Sequence, residues 1–183
     1  MKQYILAVCG LLAMFVLLPA QLSAGELAGI VGKDGAISLP TADFRRDWSH
    51  LGSWTVLDKD SPAHGIHDVY APKTTVQAFR ATGKFPDGAV LVKEIRTFET
   101  ATLTTGNVAY AGKQAVWFVM VKDSTGRFEG KNPLWAECWG WAMFKADNPQ
   151  KQVAESFEAS CMGCHTPVAK TDWVFQSGYP TLK

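Results

Sequence analysis

The alternation of hydrophobic and polar positions predicts a chain built mainly of short strands. Runs at residues 53–57, 66–71, 89–98, 115–121 and 138–144 are rich in β-branched or aromatic residues and are bounded by glycine, proline or polar residues. The run at 115–121 is apolar throughout, which favours a central strand buried on both faces.

Two short helices interrupt the strand pattern. Asp43 precedes residues 44–48, which predicts a short capped helix. Pro72 and Gly83 enclose residues 73–82, with proline at the start and glycine just past the end of a second helix. The chain from residue 152 onward is predicted to be helical or irregular. The expected fold is therefore α+β, a mostly antiparallel β-sheet with a few short helices.

Residues 1–24 have the pattern of a secretory signal peptide. Lys2 precedes an apolar run over residues 5–19, and the small residue Ala24 closes the segment. A membrane helix would need roughly 20 apolar residues, and this run is shorter. We therefore expect a periplasmic protein with a single domain over residues 25–183, without a membrane span after processing.

Removal of that peptide leaves 183 − 24 = 159 residues and lowers the formal charge from +1 to about zero. The chain has no basic run, so nothing in it suggests a nucleic-acid partner. Three cysteines remain: Cys138, Cys161 and Cys164. An odd number argues against a simple disulfide framework, and a cofactor that uses two of them would leave one over.

The segment Cys161-Met162-Gly163-Cys164-His165 fits the pattern of covalent haem attachment. Two thiols at this spacing can add to the two vinyl groups on one porphyrin edge, and the adjacent histidine can ligate the iron. Gly163 suits the tight backbone that this geometry requires. A thioredoxin-like redox pair, a zinc site and a structural disulfide are alternatives that fit the surrounding sequence less well.

No methionine or histidine follows His165, so a sixth iron ligand would have to lie upstream. The candidates are His50, His64, His67, Met120, Met143 and Met162. Met162 lies inside the motif and is geometrically poor, and none of the others is favoured. A five-coordinate iron with an open face is the more economical interpretation, and open iron binds small molecules. Electron transfer alone would require one of these upstream residues to close the sixth position.

Lys93 is unusual because alternation places it on the same strand face as Ala89, Leu91 and Ile95. A lysine directed into an apolar face is costly unless it reaches solvent, pairs or reacts. Its neighbour Glu94 points to the opposite face and is no direct partner. Access to solvent at the sheet edge is the simpler alternative.

Four segments in order carry a more specific pattern than the haem motif alone. They are Gly88-Ala89-Val90-Leu91-Val92-Lys93-Glu94, Trp139-Gly140-Trp141, the motif that contains Cys161, Cys164 and His165, and Thr171-Asp172-Trp173-Val174-Phe175. In this combination the chain, from about residue 44 to residue 182, resembles the cytochrome P-460 family, which includes the β-sheet cytochrome c′ (cytochrome c′-beta).

The resemblance implies a mostly antiparallel fold, often a homodimer, with a five-coordinate c-type haem. Members of the P-460 type oxidise hydroxylamine to nitric oxide or nitrous oxide, pass electrons to an acceptor protein, and join a lysine to the porphyrin edge. Lys93 stands where that lysine is expected. Members of the c′-beta type lack the link and bind nitric oxide or carbon monoxide without turnover.

The resemblance also implies residues on the open side of the haem. Bulky distal phenylalanines are expected among Phe44, Phe79, Phe85 and Phe98, and a distal acid is expected at Glu137 or Glu129. Cys138 has no counterpart in this pattern, and we predict a buried thiol that acts as a small hydrophobic side chain.

Overall fold

A seven-stranded antiparallel sheet forms the body of the molecule. The structure is a computed structural model that describes residues 29–183, so the predicted signal peptide lies outside the described residues. The strands are β1 (Ser49–Val56), β2 (Gly65–Ala71), β3 (Val90–Leu103), β4 (Gly106–Lys122), β5 (Trp135–Ala136), β6 (Trp139–Lys145) and β7 (Asn148–Gln152). Their order is β1-β2-β3-β4-β6-β5, with β7 paired to β6. The predicted α+β fold with a mostly antiparallel sheet is confirmed.

The helices are short and flank the sheet. They are α1 (Phe44–Asp47) and α2 (Lys73–Thr82), a π-helical turn (Glu158–Met162), α3 (Gly163–His165), and 3₁₀ segments at Thr166–Thr171, Gln176–Gly178 and Pro180–Leu182. In residues 29–183, no helix is long and apolar enough to cross a membrane.

Local signals located α2 and the start of α1 correctly and misjudged the cap of α1. The helix predicted over residues 73–82 forms with those bounds and ends at Gly83, whose φ of 70° is left-handed. By contrast, the Asp43 side chain does not cap α1. The backbone carbonyl of Asp43 instead accepts hydrogen bonds from the amides of Arg46 and Asp47 at 3.0 and 2.8 Å.

The hairpin of β3 and β4 is much longer than the apolar runs predicted. The strands continue to Leu103 and from Gly106 through residues rich in threonine and alanine, where hydrophobic alternation is weak. Burial along β4 also differs from the prediction. Residues 119–122 are buried, whereas residues 115–118 are half-buried or exposed. The expectation of a strand buried on both faces therefore holds only for the end of β4.

Alternating side chains of the sheet build two separate cores. One face packs Leu91, Met120 and Trp141 against the C-terminal helical segments, with Phe157 and Val174 among the buried residues. The opposite face carries buried Val90, Val92, Val119, Val121 and Phe144. Because alternate residues point to opposite faces, each of the central strands contributes to both cores.

A buried ion pair ties α1 to the second of these faces. Glu94 is 2% exposed and accepts hydrogen bonds from the guanidinium of Arg45 and from the hydroxyl of Tyr70, the latter at 3.3 Å. Hydrogen bonding to Glu94 raises the pKa of Arg45, with burial acting in the opposite direction. Glu94 thus points away from Lys93, as alternation predicted.

We expect Glu94→Ala to lower the free energy of unfolding by about 1–3 kcal/mol, because it removes the buried acceptor of the Arg45 guanidinium and the Tyr70 hydroxyl. Urea denaturation followed by far-ultraviolet circular dichroism measures this loss. Asp47→Ala is the matched control, since it removes a carboxylate that pairs with exposed Arg46 at 2.8 Å in the same helix. The control should show no measurable loss. Equal effects of the two substitutions would contradict the assignment.

Candidate functional site

A cavity of about 710 Å³ lies between the first face of the sheet and the C-terminal helical segments. Its sheet wall is built by alternate residues of neighbouring strands. Val69, Lys93, Phe118 and Met143 form one row across β2, β3, β4 and β6, with each residue opposite the next. All four line the cavity. We call this side of the sheet the cavity face.

The opposite wall of the cavity carries the cysteine–histidine motif. Cys161 lies in the last part of the π-helical turn, and Cys164 and His165 lie in the single turn of α3 that follows. Cys161 is buried and Cys164 is exposed, yet both line the cavity together with His165. The structure thus brings all four predicted site residues (Lys93, Cys161, Cys164 and His165) to one cavity.

Gly163 is not required by the backbone at its position. Its φ of −56° is ordinary right-handed helix, and an added Cβ would meet nothing within 4 Å. The expectation of a tight backbone that suits glycine at this position is therefore wrong. Helical geometry alone brings residues 161, 164 and 165 to the same cavity.

The His165 ring is fixed in orientation by one hydrogen bond and two aromatic contacts. Nδ1 donates to the carbonyl of Trp173 at 2.8 Å. Trp141 and Phe175 contact the ring edge-on, with centroid distances of 4.8 and 5.6 Å. Burial lowers the pKa of His165 to about 4, with the hydrogen bond to Trp173 opposing the shift and Lys93 adding to it. At neutral pH the ring is therefore uncharged, and Nε2 carries the free lone pair.

Lys93 lies within the site and is only half-buried in the protein. Its Nζ stands 4.3 Å from the centroid of the Phe118 ring. Burial lowers the pKa of Lys93, while the nearby thiols of Cys164 and Cys161 act in the opposite direction. Alternation correctly predicted that Lys93 shares the face of Leu91 and Ile95. The alternative of a lysine at the sheet edge is wrong, because β3 lies between β2 and β4.

Burial also acts on the first cysteine of the motif. It raises the pKa of the Cys161 thiol to about 11, and the Lys93 ammonium partly opposes this shift. Without a bound cofactor, Cys161 is therefore a neutral thiol at neutral pH. A thiol in this state is a weak nucleophile until a base or an electrophile reaches it.

The phenylalanines expected on the open side of the site are not the ones that line the cavity. Phe118 and Phe175 line it. Of the predicted residues, Phe44 belongs to the core on the opposite face of the sheet. The rings of Phe79 and Phe85 pack on each other, with centroids 4.6 Å apart. The ring of Phe98 packs on His64. Phe118 could have been found from the sequence by applying alternation to β4 as it was applied to β3.

The predicted distal acids lie elsewhere as well. Glu137 and Glu129 are exposed and do not line the cavity, which has Asp147 and Lys145 at its rim instead. Cys138 is exposed too, in the tight turn before β6, with a φ of 60°. The prediction of a buried Cys138 is wrong, because a two-residue turn directs its side chains outward.

The structure brings two of the candidate sixth ligands to the cavity. Met120 and Met143 line it from the cavity face. The remaining candidates, which are His50, His64, His67 and Met162, do not line the cavity. His50 pairs with Asp68, and His67 donates a hydrogen bond to the Ala63 carbonyl at 2.7 Å.

The residues of this cavity fit a c-type haem. Its walls are mainly apolar, its volume is within the range of cofactor pockets, and two thiols adjoin a neutral histidine with a free ring nitrogen. All strand pairs of the sheet are antiparallel, which is not the βαβ setting of a thioredoxin-like redox pair.

Comparison with family models gives a match over most of the chain. A family model described as cytochrome P460 matches residues 41–176, which is 136 of 183 residues. The matched range includes every residue of the motif and the strand that carries Lys93. No curated protein matches the chain.

Proposed function

Because the chain belongs to the cytochrome P460 family of haem proteins, we propose that it holds a covalent c-type haem in this cavity and oxidises hydroxylamine there. The observation that carries the proposal is the convergence of Lys93, Cys161, Cys164 and His165 on one cavity. The leader-like sequence of residues 1–24 supports export to the periplasm.

Each residue of the motif has a distinct role in this proposal. The sulfurs of Cys161 and Cys164 form thioether bonds to the cofactor, and Nε2 of His165 binds the iron. The hydrogen bond from Nδ1 to Trp173 fixes the tautomer in which Nε2 is free. A bound haem supplies an iron with an open coordination position and a path for electrons to an external acceptor protein.

Lys93 is proposed to bond covalently to the porphyrin edge, in a step that replaces an N–H of the amine and a C–H of the porphyrin by one C–N bond and passes two electrons and two protons to an external oxidant of the peroxide class. Its amine lies in the cavity, and its lowered pKa increases the fraction of neutral, nucleophilic amine. The Phe118 ring beneath Nζ restricts the directions that the amine can take. A lysine held in this way reaches a cofactor in the cavity more readily than Lys145, which is exposed at the rim.

Oxidation of hydroxylamine to nitric oxide releases three protons as well as three electrons, so the chain must supply a proton acceptor. Asp147 is the carboxylate that lines the cavity among the described residues. It is exposed at the rim and can pass protons to solvent. We therefore assign proton removal to Asp147 in place of the two glutamates that the resemblance suggested.

A second function is favoured by the apolar character of the same wall. Phe118, Met120 and Met143 face the cavity, and they suit an uncharged diatomic ligand better than a substrate that must lose protons. In this alternative the protein captures nitric oxide without turnover, as cytochrome c′-beta does.

If the attachment proposal is right, a Cys161→Ala/Cys164→Ala double variant should lose all haem staining on a denaturing gel. Cys138→Ala is the matched control, because that exposed thiol lies outside the cavity, and it should keep its haem. The intact mass of the wild-type protein should equal the chain from Gly25 plus one haem. Staining retained by the double variant would exclude attachment through these thiols.

For the lysine link, we expect Lys93→Ala to shift a red-displaced ferrous Soret band to the position of an ordinary c-type haem. The haem-bearing tryptic peptides should also lose the fragment that contains residue 93. Lys145→Ala serves as the control, since it removes the other lysine of the cavity lining and should change neither result. An identical spectrum in wild type and Lys93→Ala would show that the lysine is unlinked.

For the reaction itself, wild-type protein with hydroxylamine and an artificial electron acceptor should show turnover. Asp147→Asn should lower kcat at least about tenfold, because general-base catalysis contributes roughly 10²–10⁴-fold. Asp68→Asn, which changes a carboxylate outside the cavity, should leave kcat unchanged. Binding of nitric oxide without any hydroxylamine turnover would replace this function by the second candidate.

A further inference from the structure

Two consecutive residues beyond the haem motif adopt a left-handed backbone that neither favours. Asp172 and Trp173 have φ angles of 56° and 62°. A left-handed conformation is unfavourable for L-residues, with asparagine and aspartate tolerating it best and bulky residues least. Such a pair persists only where surrounding contacts hold it.

The contacts that hold this turn come from the cavity face of the sheet. Lys122 ends β4 two residues beyond Met120, and it lies directly opposite Trp139 at the start of β6. Nζ of Lys122 donates to Oδ1 of Asp172 at 2.6 Å, and Nε1 of Trp139 donates to the same oxygen at 3.2 Å. Lys122 is buried and Trp139 is fully buried, so both donors have fixed positions.

The left-handed turn at Asp172 and Trp173 determines where the carbonyl of Trp173 lies. The amide of Trp173 donates to the carbonyl of Val168 at 3.0 Å, which closes the preceding 3₁₀ segment. The Trp173 ring packs edge-on against Phe157, with centroids 5.2 Å apart. Its carbonyl oxygen then accepts the hydrogen bond from Nδ1 of His165.

We propose that Asp172 is a positioning residue for His165, which acts by anchoring the Asp172–Trp173 turn to Lys122 and Trp139. The inference rests on the proposed function, in which His165 binds the haem iron. Asp172 does not contact His165 itself. Asp172 keeps the Trp173 carbonyl within hydrogen-bond distance of Nδ1 of His165. One turn of backbone thus connects the sheet to the proposed iron ligand.

The expected consequence is electronic as well as geometric. A histidine that donates Nδ1–H to a carbonyl is a more basic ligand, because the hydrogen bond gives the ring imidazolate character. Such a ligand strengthens the bond from iron to Nε2 and stabilises the ferric state. Loss of the hydrogen bond should therefore lower the iron–histidine stretching frequency and raise the midpoint potential.

Two substitutions separate positioning from charge. Asp172→Asn and Asp172→Gly remove the same charge, and both residues tolerate the left-handed backbone. Asparagine keeps a side-chain oxygen that can accept from Trp139 and Lys122, whereas glycine removes the anchor. Any difference between these two holoproteins therefore reports the anchor alone.

The measurements are resonance Raman spectra of the ferrous holoprotein and redox titrations. We expect a downshifted, broadened iron–histidine band and a more positive potential in Asp172→Gly than in Asp172→Asn. The band of Asp172→Asn should lie close to that of wild type. Identical bands in wild type and both variants would overturn the proposal.

A milder substitution keeps the test decisive if Asp172→Gly does not accumulate as holoprotein. Lys122→Met removes the ion pair and retains an unbranched stem over Trp139, and it should give an intermediate downshift. An unshifted band in this variant would also overturn the proposal. A wild-type protein without covalent haem, or without an iron–histidine band, would instead refute the proposed function on which this inference rests.

Discussion

The alternation of side chains along β3, β4 and β6 is the constraint on which the rest of the molecule depends. One set of residues packs a closed core with α1, and the intervening set faces the C-terminal segments and leaves a cavity between them. Lys93 and Glu94 show the consequence at adjacent positions, since one lines the cavity and the other is sealed in the opposite core by Arg45. A slip of one residue in the register would exchange them.

The cysteine–histidine motif depends on the same sheet, although it lies outside it. A helical turn places two thiols and a histidine at the cavity, but it does not orient the imidazole. That orientation comes from Trp141 on β6 and from the carbonyl of Trp173, whose turn is anchored to the ends of β4 and β6 through Asp172. The proximal side of the proposed haem site is thus stabilised by the adjacent strands β4 and β6.

The two proposed functions, catalysis and ligand binding, make different demands on the few polar groups of this apolar cavity. Lys93 is buried enough for its pKa to fall, whereas Asp147 and Lys145 stand at the rim, where solvent reaches them. An apolar wall favours uncharged ligands, and a proton acceptor at the rim permits chemistry that releases protons. The cavity is therefore compatible with either proposed function.

The sequence alone determined the features that depend on local order: the strand alternation that directs Lys93, the helix between Pro72 and Gly83, and the spacing of Cys161, Cys164 and His165. It failed where a side chain's neighbours come from distant segments. It did not identify the phenylalanines that line the cavity, the exposure of Cys138, the position of Asp147 at the cavity rim or the contact of Asp172 with Lys122 and Trp139. Residue type and spacing fix which atoms a segment offers, but only tertiary packing decides which segments meet.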